Sequence, residues 1–330
     1  MPNTKHSSLE TFVPLYITNR CDAECAICGM RNGNRSLRRI AVNIPNALEQ
    51  LDIIRNVEGI SAVCFLSGEY SPGRERQSTL RAVVDLICAA FNKNYQKVYI
   101  NIGSLYDHEI KLFESAFSGE SRLVLSLFQE TYDRETYFQF FGRRNDSNPK
   151  GDFDLRLSTP DRWLDAGFCA VDIGILVGIS PIHFEIRELM EHALKLHSRS
   201  ADVAISLPRV CGIKIVPVPI ADSEYASIIR YISHAYPWAK VILTTRESLV
   251  FIRKMLEHIR IVSPGTSEVM PYTLKGPISN RSTTSQFVVS TRRPRPSWVL
   301  DALGLPINSI RYYTKKTNIP KENASEYSHK

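Results

Sequence analysis

Three cysteines stand close together near the start of the chain, Cys21, Cys25 and Cys28, spaced C-x3-C-x2-C. Three thiolates at this spacing suit a cubic iron–sulfur cluster. Such a cluster has four irons, so three thiolates leave one iron open to a bound small molecule. A zinc site needs a fourth ligand, and on spacing alone that alternative stays open. The other cysteines, Cys64, Cys88, Cys169 and Cys211, lie in or beside apolar runs and are expected as buried small hydrophobes. Seven cysteines in 330 residues, with no signal-peptide pattern, do not suggest a disulfide framework.

The elements that must position these thiols follow from periodicity. Eight short apolar runs recur, at residues 11–18, 62–68, 97–103, 122–129, 170–178, 202–208, 240–245 and 259–263. Amphipathic helical patterns lie between most of them. Ile44, Leu48, Leu51 and Ile54 share one face, as do Leu80, Val83, Ile87 and Phe91, and as do Ile186, Met190, Ala193 and Leu194. Strands alternating with helices predict a parallel sheet with helices outside. Eight such units over residues 1–272 predict an α/β chain folded as a (β/α)8 TIM-type barrel.

In such a barrel the C-terminal strand ends carry the chemistry. The polar ends here are 16–19, 67–70, 101–104, 129–132, 208–209, 244–247 and 263–265, and they are expected to face one cavity. The polar connection 143–154 is placed to cover part of it.

Charge separates the barrel from the C-terminal residues. The net charge is +7, and residues 273–330 hold ten Lys or Arg against three Asp or Glu. The first 272 residues are therefore neutral, and the basicity belongs to a C-terminal extension. That extension is expected to be partly ordered, with a short strand near 285–289, and to fray beyond Ile310. A basic tail of this kind reads as solvated rather than as a nucleic-acid surface. No apolar run approaches the roughly 20 residues of a membrane span, so a soluble, cytoplasmic chain is expected.

The cysteine loop, after a strand, together with Leu66-Ser67-Gly68-Glu69 at the end of the next strand, resembles the radical S-adenosylmethionine (SAM) superfamily. The resemblance implies a [4Fe–4S] cluster on Cys21, Cys25 and Cys28, with the amino and carboxylate groups of SAM on the open iron. It implies that Ser67, Gly68 and Glu69 receive the SAM amino group, and that a 5′-deoxyadenosyl radical is the reactive species. An electron donor such as flavodoxin or ferredoxin is implied as a partner.

Phe128-Gln129-Glu130-Thr131-Tyr132-Asp133-Arg134-Glu135-Thr136-Tyr137 and Gly151-Asp152-Phe153-Asp154-Leu155-Arg156 resemble the aromatic amino acid lyase branch. That branch implies Glu130 on a ribose hydroxyl or an amino group, and Arg156 on the SAM carboxylate. A surface ion pair of Arg156 with Asp152 or Asp154 is the plainer alternative.

The chain is most similar to the tryptophan lyases that make 3-methyl-2-indolic acid for thiopeptide antibiotics. The likeness runs through Asp161-Arg162-Trp163-Leu164-Asp165-Ala166-Gly167, Leu243-Thr244-Thr245-Arg246-Glu247 and Val262-Ser263-Pro264-Gly265, and covers roughly residues 9–300. It implies Tyr16 facing the substrate, Arg246 on the substrate carboxylate and Ser263 on its head group. The implied reaction starts with hydrogen abstraction from the amine of L-tryptophan.

The likeness has gaps: the N-terminal helical extension of that family is absent, and Pro208-Arg209-Val210-Cys211-Gly212 departs from its Pro-Arg-x-Arg-Pro. The outer wall of the substrate pocket is expected to differ. A tyrosine lyase cleaving Cα–Cβ is the first alternative, although no cysteine follows Cys211 to hold the second cluster of the hydrogenase-type enzymes. A barrel that binds SAM or a partner without turnover is the other.

Overall fold

The computed structural model describes residues 8–143, 148–210, 216–265, 269–270, 282–283, 295–306 and 308–316. Its main sheet is built from β1 (Leu9–Thr11), β2 (Val13–Tyr16), β3 (Ala62–Leu66), β4 (Lys97–Asn101), β5 (Leu123–Ser126), β6 (Ala170–Gly174), β7 (Asp202–Ser206), β8 (Lys240–Thr244), β9 (Ile261–Ser263) and the short β12 (Ile310–Arg311). Each of the eight apolar runs contains one of the strands β2 to β9. All neighbours pair in parallel, in the order β12-β1-β9-β8-β7-β6-β5-β4-β3-β2. Only Phe12 separates β1 from β2, yet β1 pairs with β9 and β2 with β3. Strands near opposite ends of the row are thus one residue apart in the chain. A separate antiparallel pair joins β10 (Val269–Met270) to β11 (Ser282–Thr283).

Side-chain alternation along each strand divides the core in two. Outward residues such as Val63, Phe65, Val98, Ile100, Val171 and Ile173 pack with the helices in the larger cluster. Inward residues, among them Phe12, Ala62, Cys64, Tyr99, Val124, Ala170 and Ala204, form a smaller cluster inside the curved sheet. Each fully buried Val, Leu or Ile contributes roughly 1.5–3 kcal/mol.

The helices follow the expected pattern with local differences. They are α1 (Ile44–Asp52), α2 (Arg74–Asn92), α3 (Asp107–Phe117), α4 (Arg134–Phe141), α5 (Phe153–Asp165), α6 (Ile182–Ser198), α7 (Asp222–Ala235), α8 (Leu249–Met255) and α9 (Pro296–Ala302). On α2, Leu80, Val83 and Ile87 are buried as the 3.6-residue period requires. Two residues of the expected stripes are exposed instead. Ile44 stands at the start of α1, 40% exposed, one turn before the first buried position, Ala47. Leu194 is 50% exposed, because the buried stripe of α6 runs through Leu189, Ala193 and Leu196 and leaves it at the edge.

Cys64 is buried as expected, but Cys88 and Cys169 are exposed, Cys88 on the outer face of α2 and Cys169 just before β6. Cys211 and the expected strand at 285–289 lie outside the described residues. The expectation that the chain frays beyond Ile310 is corrected in part. Ile310–Arg311 pair with β1, and the Thr314 amide donates to Gly59 O at 2.9 Å. The basic Arg295 donates to buried Glu58 at 2.9 Å, and Ser297 caps the same carboxylate. Ion pairing and sheet addition therefore hold these C-terminal residues against the main sheet and Glu58.

Candidate functional site

The strand ends converge on one cavity of about 240 Å³. Tyr16, Ser67, Gly68, Glu69, Asn101, Gly103, Glu130, Pro208, Thr244, Thr245, Arg246, Glu247, Ser263 and Gly265 all line it, so each of the seven expected strand ends contributes. Cys21, Cys25 and Cys28 line the same space from the loop after β2.

That loop is held from several sides. Arg39 donates to the carbonyls of Asn19 at 2.7 Å, Met30 at 2.8 Å and Arg31 at 2.6 Å. The Asp22 amide donates to Glu69 O at 2.8 Å, which ties the loop to the end of β3. Gly68 makes this closeness possible: a Cβ there would meet Arg20 O at 2.1 Å and Cys21 Cβ at 2.5 Å. Ala23, Cys25 and Ile27 pack on Tyr137, Phe141 and Phe153, which supplies an apolar shell.

Burial pushes the thiols of Cys21, Cys25 and Cys28 up to about 11, 12 and 11. They are neutral in this state, and a bound metal must displace their protons. The Met30 amide donates to Cys28 Sγ at 3.3 Å, a contact of the kind that tunes iron–sulfur clusters. Among the described residues no three His, Cys, Asp or Glu side chains gather around a single ion. Three thiols lining an apolar-backed cavity, with no fourth ligand named by the sequence, fit a cluster with an open iron.

Beside the loop lies a buried network of four charges. Arg156 Nη1 donates to Glu69 Oε1 at 2.5 Å, its Nη2 reaches Glu130 Oε1 at 3.4 Å, and its Nε donates to Phe128 O at 2.6 Å. Lys150 Nζ donates to Glu130 Oε1 at 2.6 Å. The plainer alternative for Arg156, a surface pair with Asp152 or Asp154, gives way to these buried contacts. Asp152 caps α5, accepting from Leu155 N at 2.9 Å, and Asp154 pairs with Arg134. The cap at Asp152 starts α5 so that Arg156, one turn in, points into the cavity.

Burial opposes charge on these groups, but their partners prevail. Glu69 is lowered by Arg156 against its burial. Lys150 is raised by Glu130 against its own burial. Glu130 also has φ +72°, a conformation rare outside glycine. Such backbone persists where the surroundings over-determine it, often at functional sites.

Arg246 and Ser263 sit at the ends of adjacent strands, where Thr244 and Ser263 are register partners. Glu247 pairs with Arg209 through both oxygens, and Arg209 also reaches Asp222 at 2.7 Å. Arg209 thus anchors Glu247, while Cys211 and Gly212, where the segment departs from the family's pattern, lie outside the described residues.

Two cavity residues carry no signal in the sequence. Lys150 lies in the connection expected to cover the cavity, but nothing in its local context singles it out. Asp172 lies within an apolar strand and has no motif around it.

No family model matches the chain. It is 28% identical over 257 residues to 2-iminoacetate synthase of Escherichia coli (strain K12), covering 73% of this chain and 62% of that protein. The Salmonella typhimurium protein of the same name is 25% identical over 256 residues. The chain spans about three-fifths of the length of these curated relatives. Among solved structures, HydG, a maturase of the [FeFe]-hydrogenase, matches with TM-score 0.69 at 25% identity, covering 78% of this chain and 57% of that one. HydG from Carboxydothermus hydrogenoformans matches with TM-score 0.74 at 23% identity over 90% of this chain and 66% of that one, a likeness of fold. The fold, the three-thiol loop and these likenesses make the chain similar to enzymes of the radical SAM class. The cofactors of that class, a [4Fe–4S] cluster and S-adenosylmethionine, are the ones these residues fit.

Proposed function

We propose that the chain is a radical SAM carbon–carbon lyase acting on an aromatic amino acid, with L-tryptophan as substrate and 3-methyl-2-indolic acid as product. The observation that carries this reading is the meeting of two sets of residues in one cavity. The three thiols, the Glu69–Arg156 pair, Tyr16, Arg246 and Ser263 all line it. When bound, cluster and SAM supply a 5′-deoxyadenosyl radical that removes one hydrogen atom from the substrate.

The chain's own groups bind and orient. Cys21, Cys25 and Cys28 hold the cluster. Ser67, Gly68 and Glu69 receive the SAM amino group, Arg156 its carboxylate and Glu130 its ribose, with Lys150 holding Glu130 in place. Arg246 grips the substrate carboxylate through a charge-assisted fork. Ser263 and Tyr16 orient the amine, so that the radical meets N–H rather than a carbon. We read residues 1–272 as a (β/α)8 barrel closed through Phe12, and 273–330 as an extension docked on it. An electron donor of the flavodoxin or ferredoxin type completes the system, in a cytoplasmic setting.

A second reading has its own support. The name 2-iminoacetate synthase states a product made of an amino acid's nitrogen, Cα and carboxylate, so side-chain loss by Cα–Cβ cleavage, on tyrosine, follows from that likeness. Anaerobic incubation of the reconstituted protein with SAM, dithionite and each aromatic amino acid separates the readings by mass spectrometry. 3-Methyl-2-indolic acid from tryptophan is expected. p-Cresol from tyrosine would favour the second reading, and no 5′-deoxyadenosine with any substrate would leave a binding barrel.

A further inference from the structure

The cavity floor carries a carboxyl that the proposed reaction leaves unused. Asp172, the third residue of β6, is 1% exposed and lines the cavity. Ser126 Oγ donates to its Oδ2 at 2.7 Å and Ser206 Oγ to its Oδ1 at 2.8 Å. A carboxylate has about four acceptor sites, so each oxygen keeps capacity for another donor. Among the described residues no lysine or arginine pairs with it, and burial lifts it to about 7 against the two serine bonds. A buried carboxyl without a cation is costly unless donors satisfy it. This one faces open cavity rather than packed core.

Its surroundings suit a flat apolar ring. Ala170, Ala204, Phe12 and Ile242 belong to the apolar cluster inside the sheet around it. Asp172 pairs in register with Ala204, and Ala204 with Lys240, the first residue of β8. Arg246 lies beyond the last residue of β8, Thr244. On its own strand Asp172 stands two residues before the end, Gly174, so at about 3.3 Å per residue it lies roughly 7 Å below that strand end. An amino acid held at the rim by its carboxylate directs its side chain toward this floor.

We propose that Asp172 reads a hydrogen-bond donor on the ring of the substrate, the N–H of an indole or the O–H of a phenol. It thereby restricts the substrate to donor-bearing aromatic amino acids. This inference rests on the aromatic amino acid reading above. It makes Asp172 a specificity-determining residue, with Ser126 and Ser206 fixing its orientation. Asn101 Nδ2 lies 3.4 Å from Ser126 Oγ and extends the same polar layer. A site built around a ring donor leaves its acceptor unpaired when the donor is missing, which is a strong basis for rejection.

The test is binding to the full chain, reconstituted anaerobically with its cluster and with SAM present but no reductant. Isothermal titration compares L-tryptophan with benzothienyl-L-alanine, in which sulfur replaces N–H, and L-tyrosine with L-phenylalanine. The parent is expected to prefer the donor-bearing member of at least one pair by tenfold or more. Asp172→Leu is expected to bring that ratio below threefold, mainly by weakening the donor-bearing ligand. Asp172→Asn keeps the shape and one acceptor oxygen. It is expected to lower the ratio at least threefold, and it carries the test if the leucine variant does not fold.

An unchanged ratio in the folded variants overturns the inference. So does a parent with no preference whose binding is still lost in Arg246→Ala, and that result leaves the aromatic amino acid reading standing. A parent that binds none of the four ligands removes both.

Discussion

Arg156 and Glu69 meet at 2.5 Å with side chains only 5% and 8% exposed, 87 residues apart in the chain. The pair is complementary to an amino acid head group: a cation for a carboxylate and an anion for an ammonium. Without such a ligand the two neutralise each other. Breaking a buried pair by removing one partner costs about 3–5 kcal/mol, because the other charge is left unpaired. Arg156→Met is therefore expected to lower stability by that order in urea unfolding. The double variant Arg156→Met, Glu69→Gln is expected to recover much of the loss. Both are expected to lose SAM binding in equilibrium dialysis. A double variant as unstable as the single one would show that the pair does not act as a unit.

Cys25 is the most buried of the three loop thiols. Cys25→Ala is expected to abolish the cluster, read as iron and sulfide content after anaerobic purification and reconstitution, while circular dichroism stays unchanged. Full iron content in the variant would sink the assignment. Stoichiometric zinc in the parent would favour the zinc alternative.

Arg246→Ala is expected to weaken aromatic amino acid binding by about 2–5 kcal/mol, the range for truncating one partner of a desolvated charge pair. SAM affinity is expected to change little, since Arg156 and Glu69 lie on other elements. Equal losses of both ligands in calorimetric titration would move Arg246 into the cofactor site.

Asp172 gives a pH dependence with a definite sign. Its carboxyl is raised by burial from the ordinary 3.8 to about 7 in the folded chain. Between those values the folded state holds a proton that the unfolded state has released. Stability from this group is thus complete below about pH 4 and is lost as pH rises through about 7. Three units correspond to roughly 4 kcal/mol as an upper bound. Asp172→Asn cannot ionise, so its stability relative to the parent is expected to grow from pH 4 to pH 8 in urea unfolding. A constant difference across that range would place the carboxyl near its ordinary value.

Much of the architecture is legible from residues alone. The apolar runs of β3 to β8 and the helical stripes follow from local composition and periodicity, which depend only on near neighbours in sequence. The C-x3-C-x2-C loop is equally local, since one short segment supplies all three thiols. The tail is less legible. Its composition suggests fraying, but Ile310 finds the free edge of β1, a partner 301 residues away that no local pattern announces.

The sequence by itself determined the order of strands and helices, the cluster loop and the set of polar strand ends. Only the tertiary structure decided which charges meet. Arg156 has two aspartates within four residues, yet the fold gives it Glu69 and Glu130. Glu247 neighbours Arg246 and pairs with Arg209. Lys150 and Asp172 become cavity residues because curvature of the sheet brings distant strand ends to one point. The physical reason is common to all four. The energy of a buried charge depends on which partners share its desolvated space, and that space exists only after the strands have curved together.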